Sequence, residues 1–149
     1  MYQVKRIGMD EAESIKSLFV SVFTAEPWND DWSDEAQLAL YISDLVGQRS
    51  SLTYGLYEGE ELIGVCMGRI WHWYSGTEYC IDEFCLRRDR QGQGMGSAFL
   101  QEIEKQIAKL GLTQIFLQTE RDKPAYRFYR KNGYTELSDH VSFAKKIQE

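Results

Sequence analysis

Arg87-Arg88-Asp89-Arg90-Gln91-Gly92-Gln93-Gly94-Met95-Gly96-Ser97 is the stretch on which the fold turns. Before it, Glu78 to Leu86 reads as a strand. After it, Ser97 to Leu110 reads as a helix, with Phe99, Ile103, Ile107 and Leu110 on one face and Gly111 closing it. Thr113 to Thr119 then reads as a buried strand. The whole is a β-loop-α-β unit. Its loop carries glycine at alternate positions, 92, 94 and 96. Glycine lets the backbone take conformations that other residues resist, and lets a ligand approach it closely. A helix N-terminus reached through such a turn presents N–H groups to an anion. Arg and Gln flank the turn as further donors, so a pyrophosphate is its natural guest. Two better-known phosphate loops do not fit. No Lys-Ser/Thr pair follows the glycines as a P-loop requires. In G-x-G-x-x-G register, Gly92 and Gly94 are followed by Ser97.

Outward from this unit, the pattern predicts one α+β domain over residues 1–149, with a mixed sheet of about six to seven strands and about four helices. Tyr2 to Ile7 alternates as a first strand. Asp10 reads as the cap of a helix whose apolar stripe is Ile15, Leu18, Phe19, Val22 and Phe23. Pro27 to Trp32 is a loop. Ser33 reads as the cap of a second helix, with Leu38, Tyr41, Ile42 and Leu45 inward and Gly47 at its end. Leu52–Tyr57 and Leu62–Ile70 make a hairpin about Glu58-Gly59-Glu60. Lys123 to Lys131 reads as a short helix entered through Pro124, and Tyr134–Leu137 and Val141–Lys145 as closing strands.

Composition narrows the class. Hydrophobic residues are 43% and charged residues 27%, which suits a folded globule. No apolar run approaches the ~20 residues of a membrane span, and the first residues lack a signal-peptide core, so no membrane partner and a cytoplasmic location are expected. The 3 cysteines, Cys66, Cys80 and Cys85, lie in apolar strands without C-x-x-C spacing, pointing to small core residues in a reducing compartment. The only histidines are His72 and His140, which excludes His-rich zinc patterns, and no metal is expected.

The net charge of −6 is unevenly placed. Between Ser17 and Gln48 there is no Lys or Arg, while Glu26, Asp30, Asp31, Asp34, Glu35 and Asp44 fall there. From Cys85 to Lys146 there are 12 basic residues against 7 acidic ones. Such a division suits an anionic ligand on one side and a cationic one on the other, or simply solvated helix faces. Nucleic acid is a poor partner for this balance.

Gln91-Gly92-Gln93-Gly94-Met95-Gly96 resembles the Q/R-x-x-G-x-G/A signature of the GNAT superfamily of acetyl-CoA-dependent N-acetyltransferases. A second family motif, N-x-x-A-x-x-[FL]-Y-x-x-x-G-[FY], resembles Asp122 to Tyr134, with Ala125, Phe128, Tyr129, Gly133 and Tyr134 matching and Asp122 replacing Asn. The resemblance runs from about Ile81 to Tyr134. It implies that the backbone of Gln91, Gly92, Gln93, Gly94, Met95, Gly96 and Ser97 cradles the coenzyme A pyrophosphate. It implies further that Phe84-Cys85-Leu86 pairs with the pantetheine arm and offers an N–H to the acetyl carbonyl. Asp122 and Ala125 fall at coenzyme positions, although a carboxylate cannot donate the hydrogen bond of an Asn amide. Tyr129 stands where the family often keeps its general acid. Ile81-Asp82-Glu83 resembles the Ile-Asp-Gln found before this loop in some aminoglycoside 6'-N-acetyltransferases.

Acetyl transfer to an amine needs a base for an ammonium of pKa ~10.4, donors for the oxyanion, and a proton for a leaving thiolate of pKa ~8.5. Tyr129 suits the last task. Asp82 and Glu83 are the candidate bases. As strand neighbours they are expected on opposite faces, Glu83 with Ile81 and Cys85, and Asp82 with Phe84 and Leu86. Trp28, Asp30, Asp31 and Trp32 fall where the family builds part of its acceptor pocket, and Tyr74 lies near the same mouth beside Trp71, His72 and Trp73. Aromatic rings with acids suit a small cationic amine such as an aminoglycoside or polyamine, through charge pairing and cation–π contact. The same tryptophans suit loop anchoring equally. A peptide or protein amine is the second acceptor class, and a non-catalytic acyl-CoA sensor a different class altogether. A homodimer is neither required nor forbidden by the pattern.

Overall fold

The computed structural model of the chain describes residues 1–148. Met1–Gln118 forms one compact unit, and the chain from Thr119 onward forms a second. The first unit is a five-stranded sheet in the order β1-β2-β3-β4-β5, with helices α1 (Ala12–Phe23), α2 (Glu35–Val46) and α3 (Met95–Lys109). Its strands are β1 (Tyr2–Ile7), β2 (Ser51–Glu58), β3 (Glu61–Trp73), β4 (Gly76–Leu86) and β5 (Gln114–Leu117). The first three pairings are antiparallel, and β4 and β5, joined through α3, are parallel. A parallel pair needs a crossover of this kind. The expected α+β mixed sheet is present, with fewer strands than expected.

Tyr134–Leu137 and Val141–Lys145 do not form strands. A strand exists only where a neighbour takes its backbone hydrogen bonds, and no ladder reaches these residues. The chain instead turns between them, His140 N–H donating to the Leu137 carbonyl at 3.1 Å. The second unit's helix is α4 (Pro124–Lys131), with proline in its first turn as expected. Arg121, Tyr126 and Arg130 all converge on the Glu136 carboxylate within this unit.

Both early helices start later than their cap residues suggest. Met9–Glu11 forms a single 3-10 turn, so α1 begins at Ala12 and Asp10 lies within the turn. Asp31 Oδ1 accepts the Ser33 N–H at 3.0 Å, and the cap of α2 passes to Asp34, which accepts from Gln37 N–H at 3.0 Å. The α1 stripe is buried as expected, and it packs with Leu38, Ile42 and Val46 of α2 on Val65 and Met67 of β3 and Cys85 of β4. Strand alternation puts Cys66 and its partner Phe84 on the opposite face, where Phe84 stacks on Phe99 of α3 at 5.3 Å. The helices therefore cover both faces of the sheet. Leu110 is the exception to the α3 stripe: it is the C-terminal cap residue, and the chain leaves at Gly111 before it can turn inward.

The β3–β4 ladder contains one irregularity that shapes the site. Met67 pairs with Glu83, yet the next residue, Gly68, pairs with Ile81, so Asp82 is an extra residue in β4. Gly68 is required here. A Cβ on it would lie 2.6 Å from the Cys80 carbonyl oxygen and 2.6 Å from the Tyr79 ring.

Candidate active site

The bulge changes which way the acids of β4 face. Glu83 and Cys85 lie opposite Met67 and Val65, on the α1/α2 face, whereas Ile81 lies opposite Gly68 on the other face. Glu83 thus shares a face with Cys85 and not with Ile81. Asp82 does not point away from it. Its Oδ1 accepts a hydrogen bond from Arg69 Nη2 at 3.1 Å, and Arg69 follows Met67 by two residues on the same face. Both carboxylates therefore serve one side of the sheet.

Glu83 is partly buried there, and burial pushes its carboxyl up to about 7; the charges of Asp82 and Asp30 add to that rise, while a hydrogen bond from Tyr41 opposes it. That bond runs from Tyr41 Oη to Glu83 Oε2 at 2.5 Å. Tyr41 was legible in the sequence only as an inward residue of α2. Its partner is 42 residues away, and no local pattern reports such a pairing. Arg69 was likewise invisible as the group that holds Asp82.

The residues expected at an acceptor site fall into two places. Asp30 is bound through its N–H to the Phe23 carbonyl at 2.8 Å, and its charge acts on both Glu83 and Tyr41. Asp31 instead turns to Ser33, whose hydrogen bonds hold its carboxyl below the ordinary value. Trp28 packs on Phe23 at 5.4 Å, while Trp32 packs on Phe19 at 5.3 Å and on Tyr41 at 5.1 Å. The loop tryptophans are thus anchored in the α1/α2 core. Tyr74 lies apart, 90% exposed at the tip of the β3–β4 hairpin, with Trp73 as its ring neighbour at 5.3 Å. The hairpin is longer than the apolar pattern suggests because Trp71, His72 and Trp73 continue the ladder against Glu78, Thr77 and Gly76.

At the other end of β4, the parallel ladder with β5 stops at Ile81–Leu117 while β4 itself continues to Leu86. Beyond Ile81 the β5-side edge of β4 has no strand partner among the described residues, because β5 ends at Leu117. Gly92 and Gly94 have φ of +76° and +81°, and a Cβ on either would meet nothing within 4 Å. Gly94 is the N-cap of α3, and no side chain caps that helix. Its first-turn N–H groups and helix dipole make a cradle for an anion. The flanking side chains serve the turn itself. Gln91 Nε2 donates to the Leu86 carbonyl at 2.9 Å and Gln93 Nε2 to the Asp89 carbonyl at 3.0 Å. Arg87 pairs with Glu61 and Asp89, and Arg90 with Glu58 and Asp89. Arg88 is exposed and makes no ion pair among the described residues.

Cys66, Cys80 and Cys85 are buried and free, and burial raises the thiol pKa of each. Among the described residues, no cluster of His, Cys, Asp or Glu could hold a metal ion, and no helix is long and apolar enough to cross a membrane. In the second unit, Tyr129 is nearly buried and lies between Phe128 at 5.1 Å and Tyr134 at 5.4 Å. Asp122 and Ala125 lie at the start of that unit's helix.

Residues 12–134 match the family model described as Acetyltransferase (GNAT) family. No curated protein matches the chain. Among solved structures, the aminoglycoside acetyltransferase meta-AAC0020 from an uncultured soil metagenomic sample, in complex with sisomicin, is 18% identical with a TM-score of 0.76, covering 99% of this chain and 97% of its own. AAC(6')-Iy, in complex with the bisubstrate analog CoA-S-monomethyl-acetylneamine, is 14% identical with a TM-score of 0.75, covering 99% of each chain. A ribosomal-protein-alanine N-acetyltransferase from Brucella melitensis biovar Abortus 2308 is 14% identical with a TM-score of 0.76, covering 98% of this chain and 99% of its own. At these identities the likeness is one of fold.

Proposed function

The chain belongs to the GNAT acetyltransferase family, and from that premise we propose that it moves an acetyl group from acetyl-CoA directly to a primary amine of a small cationic molecule, of the aminoglycoside or polyamine kind. One observation carries the reading. A single strand, β4, bears Glu83 with its raised pKa and runs on into the glycine turn at the N-terminus of α3. The proposed base for an amine and the proposed cradle for a pyrophosphate thus lie on one continuous stretch of chain, from β4 to the start of α3.

The residues divide the work as follows. The backbone of Gln91 to Ser97 holds the coenzyme pyrophosphate, and Phe84 to Leu86 orient its acyl arm. Acetyl-CoA, when bound, would supply the acetyl group as a thioester and leave as the free coenzyme A thiol. Glu83, with a pKa of about 7, is part ionised near neutral pH and can take the proton of an incoming ammonium. The carboxylates of Asp30 and Asp82 attract the cationic acceptor and also raise the pKa of Glu83, which makes it a stronger base toward an ammonium of pKa ~10.4. Tyr129 is assigned to protonate the thiolate, on its place in the second motif alone. Aminoglycoside acetyltransferases among the fold neighbours support the cationic acceptor.

The test is release of free coenzyme A thiol from acetyl-CoA over a panel of amino sugars, polyamines, peptides and neutral mono-amines. Turnover is expected with the polycations. Binding of acetyl-CoA without turnover of any amine would make the protein a coenzyme-binding module instead.

A further inference from the structure

Tyr41 occupies a position in α2 where a phenylalanine would pack equally well. Its ring stacks on Trp32 at 5.1 Å with 21° between planes, and leans on Phe19 at 5.8 Å. Trp32 is itself held edge-on by Phe19 at 5.3 Å, and Phe19 is fully buried. The ring is therefore clamped on two sides, and its neighbours in the stripe, Leu38, Ile42 and Leu45, are aliphatic. The hydroxyl adds nothing to that packing. Its hydrogen bond is to one oxygen of Glu83, on a different element of the fold. A fixed donor aimed at a partly desolvated carboxylate does two things. It selects one rotamer of the acid, and it favours the ionised form over the neutral one.

The other groups around Glu83 do not do this. On β4, Asp82 is of like charge and Cys85 is a neutral buried thiol. Asp30, from the loop before α2, is also of like charge. Across the ladder on β3 stands Met67, and the nearest β3 cation, Arg69, is committed to Asp82. On the α1 side the neighbour in the ring cluster is Phe19, which carries no charge.

We propose that Tyr41 is the positioning residue of the acceptor base, its clamped hydroxyl holding the Glu83 carboxylate in one orientation and in the charged form that accepts a proton from the amine. The proposal rests on the reading of Glu83 as that base. It adds a requirement: the second helix, through one phenol oxygen, sets the pH range over which the enzyme works. Neither motif of the glycine turn nor of α4 contains this residue.

The experiment compares wild type with Tyr41→Phe in two ways. In protein labelled with ¹³C at Glu side-chain carboxyls, the Glu83 resonance is identified by its loss in Glu83→Gln and titrated in each background. Its midpoint is expected to rise by about one unit in Tyr41→Phe, which is about tenfold less ionised carboxylate at low pH. Asp82→Asn should move the midpoint the other way, since it removes a like charge and leaves Arg69 free. In turnover, the acid limb of kcat/KM should move upward with the midpoint. Tyr41→Phe should then be about tenfold slower than wild type below the limb and much closer to it above, with the KM for acetyl-CoA unchanged. An unmoved NMR midpoint overturns the proposal, and so does an unmoved limb in an enzyme whose midpoint has shifted. A shifted midpoint in a protein that turns over no amine overturns the base reading instead, because the titration does not depend on activity.

Discussion

Replacing Glu83 by Gln should make the protein's stability less sensitive to pH, and the size of the effect follows from the environment of this one carboxyl. Folding raises its pKa from 4.5 to about 7. The folded state therefore holds this proton more tightly than the unfolded chain does. Wild-type stability from this group is fully present below about pH 4.5 and is lost as pH rises through about 7, because a partly desolvated charge must then be kept. At 1.36 kcal/mol per unit the loss is about 3 kcal/mol, an upper figure because the group is not fully enclosed. Gln keeps the shape and still accepts from Tyr41, but has no proton to lose. The assay is thermal unfolding of both proteins in matched buffers between about pH 4.5 and pH 8.5. Relative to wild type, the melting temperature of Glu83→Gln should climb across this window, by about 6–12 °C if the full figure applies to a chain of this size. Parallel curves would mean that Glu83 keeps an ordinary pKa, and the site built around it would be wrong.

Gly94→Asp should weaken acetyl-CoA binding at least tenfold, about 1.4 kcal/mol by calorimetry; the position is open, but its φ of +81° adds a folding cost of about 1–2 kcal/mol. A folded variant with wild-type affinity would remove the turn from the coenzyme site. Tyr129→Phe should lower kcat by about 10²–10⁴-fold with little change in coenzyme affinity, and a kcat within about a factor of two of wild type would leave Tyr129 a packing residue. The KM for a polycationic acceptor should rise clearly with salt, because exposed charges are screened over about 8 Å at physiological ionic strength. Asp30→Asn should raise that KM more than Asp31→Asn does, since Asp30 acts on Glu83 while Asp31 is turned to Ser33; equal effects would reduce the acidic stretch to solvated surface.

The β-loop-α-β unit was legible because its signals are local. Alternating glycines, a helix stripe and a closing glycine all lie within one stretch of chain, and α3 with its flanking strands follows them to within a few residues. The buried faces of α1 and α2 were legible for the same reason. Helix caps were less so, since Asp34 and not Ser33 caps α2, accepting the N–H of Gln37 three residues downstream. The closing strands were misread because Val141 and Phe143 alternate with polar residues, yet alternation states only what a strand would bury, not whether a neighbour is there to pair with. The candidate site was half legible. Asp82 and Glu83 could be picked out together as candidate acids from their place before the glycine turn, without a choice between them. Tyr41 and Arg69 could not, because each meets its acid across a large separation in sequence.

The surplus residue in β4 separates two requirements that a regular strand would tie together. Tyr79 and Ile81 before it, and Phe84 and Leu86 after it, lie on one face, opposite Ile70, Gly68, Cys66 and Gly64. In an unbroken two-residue rhythm, the strand that buries Tyr79 and Ile81 would put position 83 among them, on the face away from Tyr41. Adding one residue resets the rhythm, so the apolar face resumes at Phe84 while two consecutive acids are delivered to the other side. Loss of Asp82 would leave Glu83 opposite Met67 and the core face in register, and would remove one charge. The charge that β4 presents beside α1 and α2 can therefore be altered by the gain or loss of one residue without changing which of its side chains face α3.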